Sequence, residues 1–302
     1  MIPERRNMKK LLMIMNPYAG TRQANKFLAR VIDIFCSEGF DVNIAMTQAR
    51  GDGEKIAEER AGGFDRIVIV GGDGTFNEAV SGVLKSGASP LIGYIPAGST
   101  NDFATSIGLK KQVVEAAVTV TRGKPRTIDI GRFNGRYFSY VASFGAFTSA
   151  SYGVPQDLKN AIGHAAYILS GIKEVVNIKP LSLTLETDEK TYSGDYIFGA
   201  VCNSTSMGGI INLKQSDVDM NDGKFEVMLI KAPNNIVELN GIIFALTTQS
   251  YETCNEISFF STSKMKITAD KEMPWTLDGE YQEGSETIAI ENIRSAVNIL
   301  VP

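Results

Sequence analysis

The stretch that decides the fold is Ile67-Val68-Ile69-Val70-Gly71-Gly72-Asp73-Gly74-Thr75-Phe76-Asn77-Glu78. A β-branched run stops at two glycines, and residues 75–85 continue with helical spacing. That is a buried strand, a glycine turn and a helix. Working outward, the same unit recurs. Residues 11–15 (LLMIM) form a compact apolar run ended by Asn16-Pro17, and 22–38 place Phe27, Leu28, Val31, Ile32 and Phe35 on one helical face. Residues 41–47 alternate like a strand, and 52–61 are charged and helical. Residues 91–95 read as a strand closed by Pro96, with helices at 101–107 and 113–122. Alternation of this kind implies a parallel sheet covered by helices on both faces.

The pattern changes near Lys124-Pro125. Residues 127–133 and 137–144 read as strands joined by Asn134-Gly135, a strong hairpin signal. Further strands are expected at 181–187, 196–203, 224–231, 257–261, 264–269 and 287–290, with helices at 155–177 and 235–248. A last strand at 296–301 suits either half. The expected fold is an α/β domain with a doubly wound parallel sheet over 1–126, joined by 292–302. A mostly antiparallel β-sandwich over 127–291 follows.

The chain has 302 residues, with 30 Lys and Arg against 34 Asp and Glu, a net charge of −4 that argues against broad nucleic-acid binding. One histidine cannot supply a two-His zinc site, and Cys36, Cys202 and Cys254 lack metal-type spacing. His164 sits in the alanine-rich stretch AIGHAAYIL and reads as structural. An odd cysteine number without CxxC suggests a reducing compartment. LLMIM is too short for a signal h-region, and no stretch reaches the ~18 apolar residues of a membrane helix. A cytoplasmic protein is expected, or one bound only at a membrane surface.

Three polar, glycine-rich segments follow predicted strands. They are Asn16-Pro17-Tyr18-Ala19-Gly20, the Gly71–Glu78 segment, and Pro96-Ala97-Gly98-Ser99-Thr100-Asn101-Asp102-Phe103. Each leads into a helix N-terminus, where unpaired N–H groups and the dipole favour an anion, and glycine lets the backbone approach a phosphate. One such loop is weak evidence; three on one sheet edge point to phosphate binding. Neither GxxxxGK[ST] nor a GxGxxG after the first strand is present. Asp73 inside the second loop would repel bare phosphate, which makes sense if Mg²⁺ or its water stands between; Asp102 and Asp129 can join it. Helix capping is the plainer role for Asp73 and Asp102.

With GGDGTFNE, PAGSTNDFA and the late Leu277-Asp278-Gly279-Glu280, the chain resembles the catalytic-domain family of diacylglycerol and sphingosine kinases, in its bacterial branch. GGDG alone is less specific, being shared with NAD kinases and phosphofructokinases. The resemblance implies an ATP- and Mg²⁺-dependent lipid kinase on an NAD kinase/phosphofructokinase-like α/β domain. By it Asn16, Pro17, Tyr18, Ala19, Gly20, Thr47, Gly71, Gly72, Asp73, Gly74, Thr75, Phe76, Asn77 and Ser99 would contact ATP. Asp278 and Glu280 would form the catalytic centre, with Asp73, Asp102 and Asp129 organising catalytic Mg²⁺ partly through water. Asp219, Asp222 and the Lys224 carbonyl would hold a structural Mg²⁺. Two departures stand out: Ala19 where the family often has Ser, and Thr105 where it often has Arg.

Read without the family, Asp217, Asp219 and Asn221 have calcium-loop spacing, but Asp222 and Met228 occupy the positions of the required Gly and Glu. Asn221-Asp222-Gly223 is also a good turn, and Asp278-Gly279-Glu280 as a bare tripeptide is most often one. One carboxylate of Asp278 and Glu280 would take the proton from a lipid hydroxyl; Asp278 is favoured. The helix at 155–177 reads chiefly as core, with an acyl-chain cleft as the smaller alternative. Arg5, Arg6, Lys9 and Lys10 suit a solvated tail or contact with anionic headgroups. The partners expected are therefore a membrane lipid substrate and a peripheral contact at the cytoplasmic membrane face, without nucleic acid; a homodimer stays open. Diacylglycerol leads as acceptor. Phosphatidylglycerol, undecaprenol, a sphingoid base, or a soluble substrate as in NAD kinases are the alternatives.

Overall fold

The computed structural model describes residues 8–20, 22–145, 179–207, 211–214 and 218–302. The expected helix at 155–177, His164, Arg5, Arg6 and Asp217 lie outside them. The chain divides into two compact units, Met1–Ile130 with Arg294–Pro302, and Gly131–Ile293.

The first unit runs β1 (Lys9–Met15), α1 (Gln23–Ser37), β2 (Phe40–Met46), α2 (Asp52–Arg60), β3 (Arg66–Gly71), α3 (Asp73–Ser86), β4 (Leu91–Pro96), α4 (Asp102–Ser106) and α5 (Val113–Arg122), and enters β5 (Lys124–Phe133). β1 lies parallel to both β2 and β3, and β3 parallel to β4. The apolar runs are continuous because both faces are covered. Leu11, Met13, Val68 and Val70 pack with Val31 and Phe35 of α1 and Val120 of α5. Leu12, Ile14, Ile67 and Ile69 alternate to the opposite face and are equally buried. The order β4-β3-β1-β2 reverses direction between β1 and β3, and that switch point is where open α/β sheets bind ligands.

The second unit holds β6 (Arg136–Phe138), β7 (Val141–Gly145), β8 (Leu181–Glu186), β9 (Thr191–Cys202), β10 (Ser206–Met207), β11 (Ile211–Asn212), β12 (Phe225–Lys231), α6 (Ile236–Thr248), β13 (Ile257–Thr262), β14 (Lys264–Ala269), β15 (Trp275–Leu277) and β16 (Glu280–Gln282), with β17 (Thr287–Val301) closing the chain. The pairings are antiparallel: β9 lies against β7, β8 and β12, and β15 against β7 and β16. Phe133 and Phe144 meet the Trp275 ring edge-on, at centroid distances of 5.1 and 4.9 Å, in the centre of this β-sandwich core.

Two expectations are corrected. Residues 137–144 are not one strand: β6 and β7 are broken at Ser139-Tyr140, because the amides of 139–141 bond a side chain instead of a neighbouring strand. The pieces at 287–290 and 296–301 are one strand, β17, with a left-handed residue at Ser295 (φ 52°). Its first part pairs with β14, and Asn298 and Ile299 pair in parallel with β4, so its end completes the first unit.

Candidate active site

At the carboxyl edge of the first unit's sheet, the three glycine segments touch one another. A Cβ on Gly20 (φ 50°) would stand 2.4 Å from the Ala97 carbonyl oxygen, and one on Gly98 2.5 Å from the Gly72 Cα. Only glycine permits these approaches. The Asn16 amide donates to the Val70 carbonyl (2.9 Å), and its Nδ2 to Thr75 Oγ1 (3.3 Å), while its Oδ1 accepts from the Tyr18 amide (2.9 Å). Pro17 accepts from Asn25 Nδ2 through its carbonyl. Ala19 bonds through its backbone, and the Tyr18 ring is exposed beneath the Arg22 guanidinium. Thr47 follows β2, buried, with its amide on the Met15 carbonyl.

α3 starts at Asp73, two residues before the expected start, so Asp73, Gly74 and Thr75 form its first turn. Helix geometry turns their amides outward without intrahelical partners, at the positive end of the dipole. Phe76 differs from the expectation for it. Its amide donates to the Gly72 carbonyl, and its ring is fully buried, 4.3 Å from Phe103 and 4.7 Å from Tyr94 between centroids. It offers packing, not a polar contact. Asn77 is half-buried. Ser99 is exposed and borders a cavity of about 510 Å³ with Phe27, Asn101, Lys111 and Val113.

Asp73 accepts from the amides of Asp102 (3.2 Å) and Phe103 (3.3 Å), capping α4 from the neighbouring loop. Burial nevertheless holds its carboxyl above the ordinary value, against the opposite pull of these amides. The Tyr94 phenol beneath is pushed well up, by burial first and then by the charges of Asp73 and Asp102. Asp73 and Asp102 therefore share one neighbourhood. A cation there would relieve the cost of ionised Asp73, and because both its oxygens already accept amides, bridging through water suits it best. Asp129 is placed differently. It is 0% exposed, and its Oδ1 accepts from the Ser295 amide (2.7 Å), which ties β5 to the bend in β17. Among the described residues, no three His, Cys, Asp or Glu side chains converge on a metal position.

In the second unit, Asp278 (φ 51°) and Gly279 (φ 82°) form the two-residue turn between β15 and β16, with Leu277 opposite Glu280. Two positive φ values at Asp-Gly make a type I′ hairpin. The turn reading and the site reading thus meet in one residue. The Asp278 carboxylate, 6% exposed, accepts from the amides of Ser139 (2.6 Å), Tyr140 (2.9 Å) and Val141 (3.1 Å). Half-buried Glu280 pairs with Arg136 at 3.0 Å. Beside them the fully buried Cys202 thiol is pushed well up, by burial first and then by the charges of Glu226 and Asp278.

Asp219 and Asp222 are exposed, and each accepts an amide two residues on, from Asn221 (3.1 Å) and Lys224 (2.8 Å). The Lys224 carbonyl accepts from Asn292 Nδ2 at 3.0 Å. The oxygen donors suit a hard cation, and the same bonds make two Asx turns.

Two organising residues were absent from the expected site. Asn101 (φ 57°), buried, clamps the third loop, its Oδ1 accepting from the Gly98 amide (2.9 Å) and its Nδ2 donating to the Gly98 carbonyl (2.8 Å). Glu78 accepts from the amides of Gly51 (2.8 Å) and Gly53 (3.1 Å). Both lie inside the quoted motifs, which was the signal available for them.

An α/β unit with three interlocked phosphate-type loops, followed in sequence by an antiparallel unit with a buried aspartate turn, is the pattern of a lipid kinase. Residues 10–133 match the diacylglycerol kinase catalytic domain, and 142–301 match the YegS C-terminal NAD kinase beta sandwich-like domain. The "Diacylglycerol kinase" of Bacillus subtilis (strain 168) is 35% identical over 91% of this chain and 90% of its own. That of Staphylococcus carnosus (strain TM300) is 27% identical over 97% and 95%. A solved structure of a diacylglycerol kinase from Bacillus anthracis str. Sterne superposes with a TM-score of 0.76 at 21% identity, covering 98% of each chain. The chain belongs to the diacylglycerol kinase catalytic-domain family and is a lipid kinase, an enzyme that uses a nucleotide. No helix among the described residues is long and apolar enough to cross a membrane.

Proposed function

We propose that this lipid kinase moves the γ-phosphoryl group of ATP, in the presence of Mg²⁺, to the hydroxyl of diacylglycerol, giving phosphatidic acid. The observation that carries the nucleotide part is the interlocking of the three glycine loops around the first turn of α3. The named relatives support the acceptor. In this reading the amides of Gly72–Thr75 and the Asn16–Gly20 turn receive the phosphates, with Ser99 and Thr47 alongside. The lipid oxygen forms its bond to Pγ as the bridging Pγ–O bond breaks, and the proton passes to a carboxylate. Asp278 is that acceptor, its orientation fixed by three amides, with Glu280 as its partner. Positioning and charge neutralisation supply most of the remaining acceleration.

Mg²⁺, when bound, would neutralise charge on the phosphoryl oxygens; Asp73 and Asp102 would hold it through water, while Asp129 ties β5 to the bend in β17. A second Mg²⁺ would cross-link the turn at Asp219, Asp222 and the Lys224 carbonyl. The enzyme would visit the cytoplasmic membrane face as a peripheral protein, with Lys9 and Lys10 among its basic contacts.

Labelled ATP offered to NAD in solution together with mixed micelles of diacylglycerol, phosphatidylglycerol, undecaprenol and a sphingoid base tests the reading. Labelled phosphatidic acid that disappears with EDTA is the expected result. Label in another lipid only would move the acceptor, and label in NAD only would overturn it.

A further inference from the structure

We propose that Glu78 is a positioning residue that holds the turn after β2 as the wall for the nucleoside end of the bound nucleotide. This rests on the ATP reading above and adds a residue to it. The first turns of α3 reach every loop of the edge. Asp73 holds the start of α4, Thr75 holds Asn16, and Glu78 reaches the opposite way, to the amides of Gly51 and Gly53. The need for this bond is local. α2 has Gly51 (φ 87°) at its N-cap, and glycine has no side-chain oxygen to cap the helix. Glu78 supplies that acceptor from α3, while Asp52 Oδ2 closes the same turn by accepting from the amides of Gln48 (2.7 Å) and Ala49 (2.9 Å).

The placement of this turn sets its ligand. β2 is separated from β3 only by β1, so at ~4.8 Å per strand its carboxyl end stands about 10 Å from the phosphate-receiving turn of α3. That is the reach of a triphosphate with its ribose. A ligand whose phosphates sit on α3 and which extends along the edge toward β2 presents its nucleoside at residues 47–53.

The test is the kinetics of Glu78→Gln, which keeps the shape of the side chain but removes its charge and one acceptor oxygen. KM for ATP should rise about tenfold with kcat within about threefold, while inhibition by inorganic tripolyphosphate, which has no nucleoside, stays within about twofold. Asp52→Ala, which removes the acceptor of both amides on the other side of the turn, should give the same signature and serves if Glu78→Gln does not fold. An unchanged KM, a fall in kcat alone, or equal weakening toward ATP and tripolyphosphate would overturn the assignment. Wild-type enzyme that binds no ATP at all would instead overturn the reading on which it rests.

Discussion

Asp73 and Asp278 are each an aspartate followed by glycine, one opening a helix and one in a hairpin turn, each accepting main-chain amides. The first accepts from Asp102 and Phe103, at 3.2 and 3.3 Å, at the start of a five-residue helix, with the Asn101 amide and its own adding to the pull. The second accepts three, at 2.6 to 3.1 Å, from a gap between two strands. At Asp73 burial outweighs the amides, so the ionised form costs free energy, a cost that a bound cation would offset. At Asp278 the chain itself surrounds the carboxylate, and the carboxylate in return sets the path of residues 139–141. One aspartate carries an uncompensated burial cost; the other sets the path of its own unit's chain.

The largest expected effect is at Asp278. Asp278→Asn should lower turnover by roughly 10³-fold or more, within the range attributed to general-base catalysis. It should also lower the melting temperature, because an amide NH₂ then faces a backbone N–H, a mismatch of about 1–3 kcal/mol. ATP binding, measured calorimetrically, should stay near wild type. Surviving kcat would remove Asp278 from the chemistry and leave it a scaffold.

Asp73→Asn sharpens the contrast. It should lower kcat roughly 10²-fold, and at neutral pH the nucleotide-free melting temperature should fall less than in Asp278→Asn, because relief of a costly buried charge offsets the same amide mismatch. The sign follows from the raised folded-state value. The stability Asp73 contributes is present below its ordinary value of 3.8 and is lost as pH rises through the raised one. Wild type should therefore gain stability on acidification through that window, relative to Asp73→Asn. A variant that melts lower than wild type by the same margin from pH 4 to 7 would break the comparison.

Much of this was legible in sequence. Continuous apolar runs at 11–15 and 67–70 read as two-face-buried parallel strands, and 113–122 as a helix, because local periodicity reports burial directly. The glycine loops were legible because backbone approach leaves glycine no substitute. What was not legible is which amide each carboxylate meets. Glu78 and Gly51 are 27 residues apart, and Asp278 and Ser139 are 139 apart. Such partners are set by how loops arrive from different strands. For the same reason 137–144 reads as one strand: nothing inside it tells that Asp278 will claim its middle amides.

A smaller effect is expected at Arg136, whose guanidinium reaches Glu280 and Gln282 Oε1 at 3.0 Å each. Both charged side chains are more than a third exposed, where an ion pair contributes at most about 1 kcal/mol. Arg136→Met should change kcat less than tenfold, and the difference should shrink in high salt. A loss as large as that of Asp278→Asn would mean that Glu280, rather than Asp278, is the group whose orientation limits the reaction.

The smallest effect, at Asp222, separates a turn from a metal site. Its Oδ1 bond to the Lys224 amide accounts for the local structure without any ion, and Asn292 already occupies the Lys224 carbonyl. Losing one exposed Asx bond should cost about 0.5–1 kcal/mol. Asp222→Ala should therefore melt a few degrees lower than wild type, whatever the ion content. A bound ion adds stability that grows with its concentration, as RT ln(1 + [Mg²⁺]/Kd). With nucleotide absent and Asp73→Asn as the background, so that the first unit does not respond, added MgCl₂ should raise the melting temperature. The further substitution Asp222→Ala should remove that rise. Parallel responses in the two proteins would mean that the turn is held by its own amides and Asn292, without an ion.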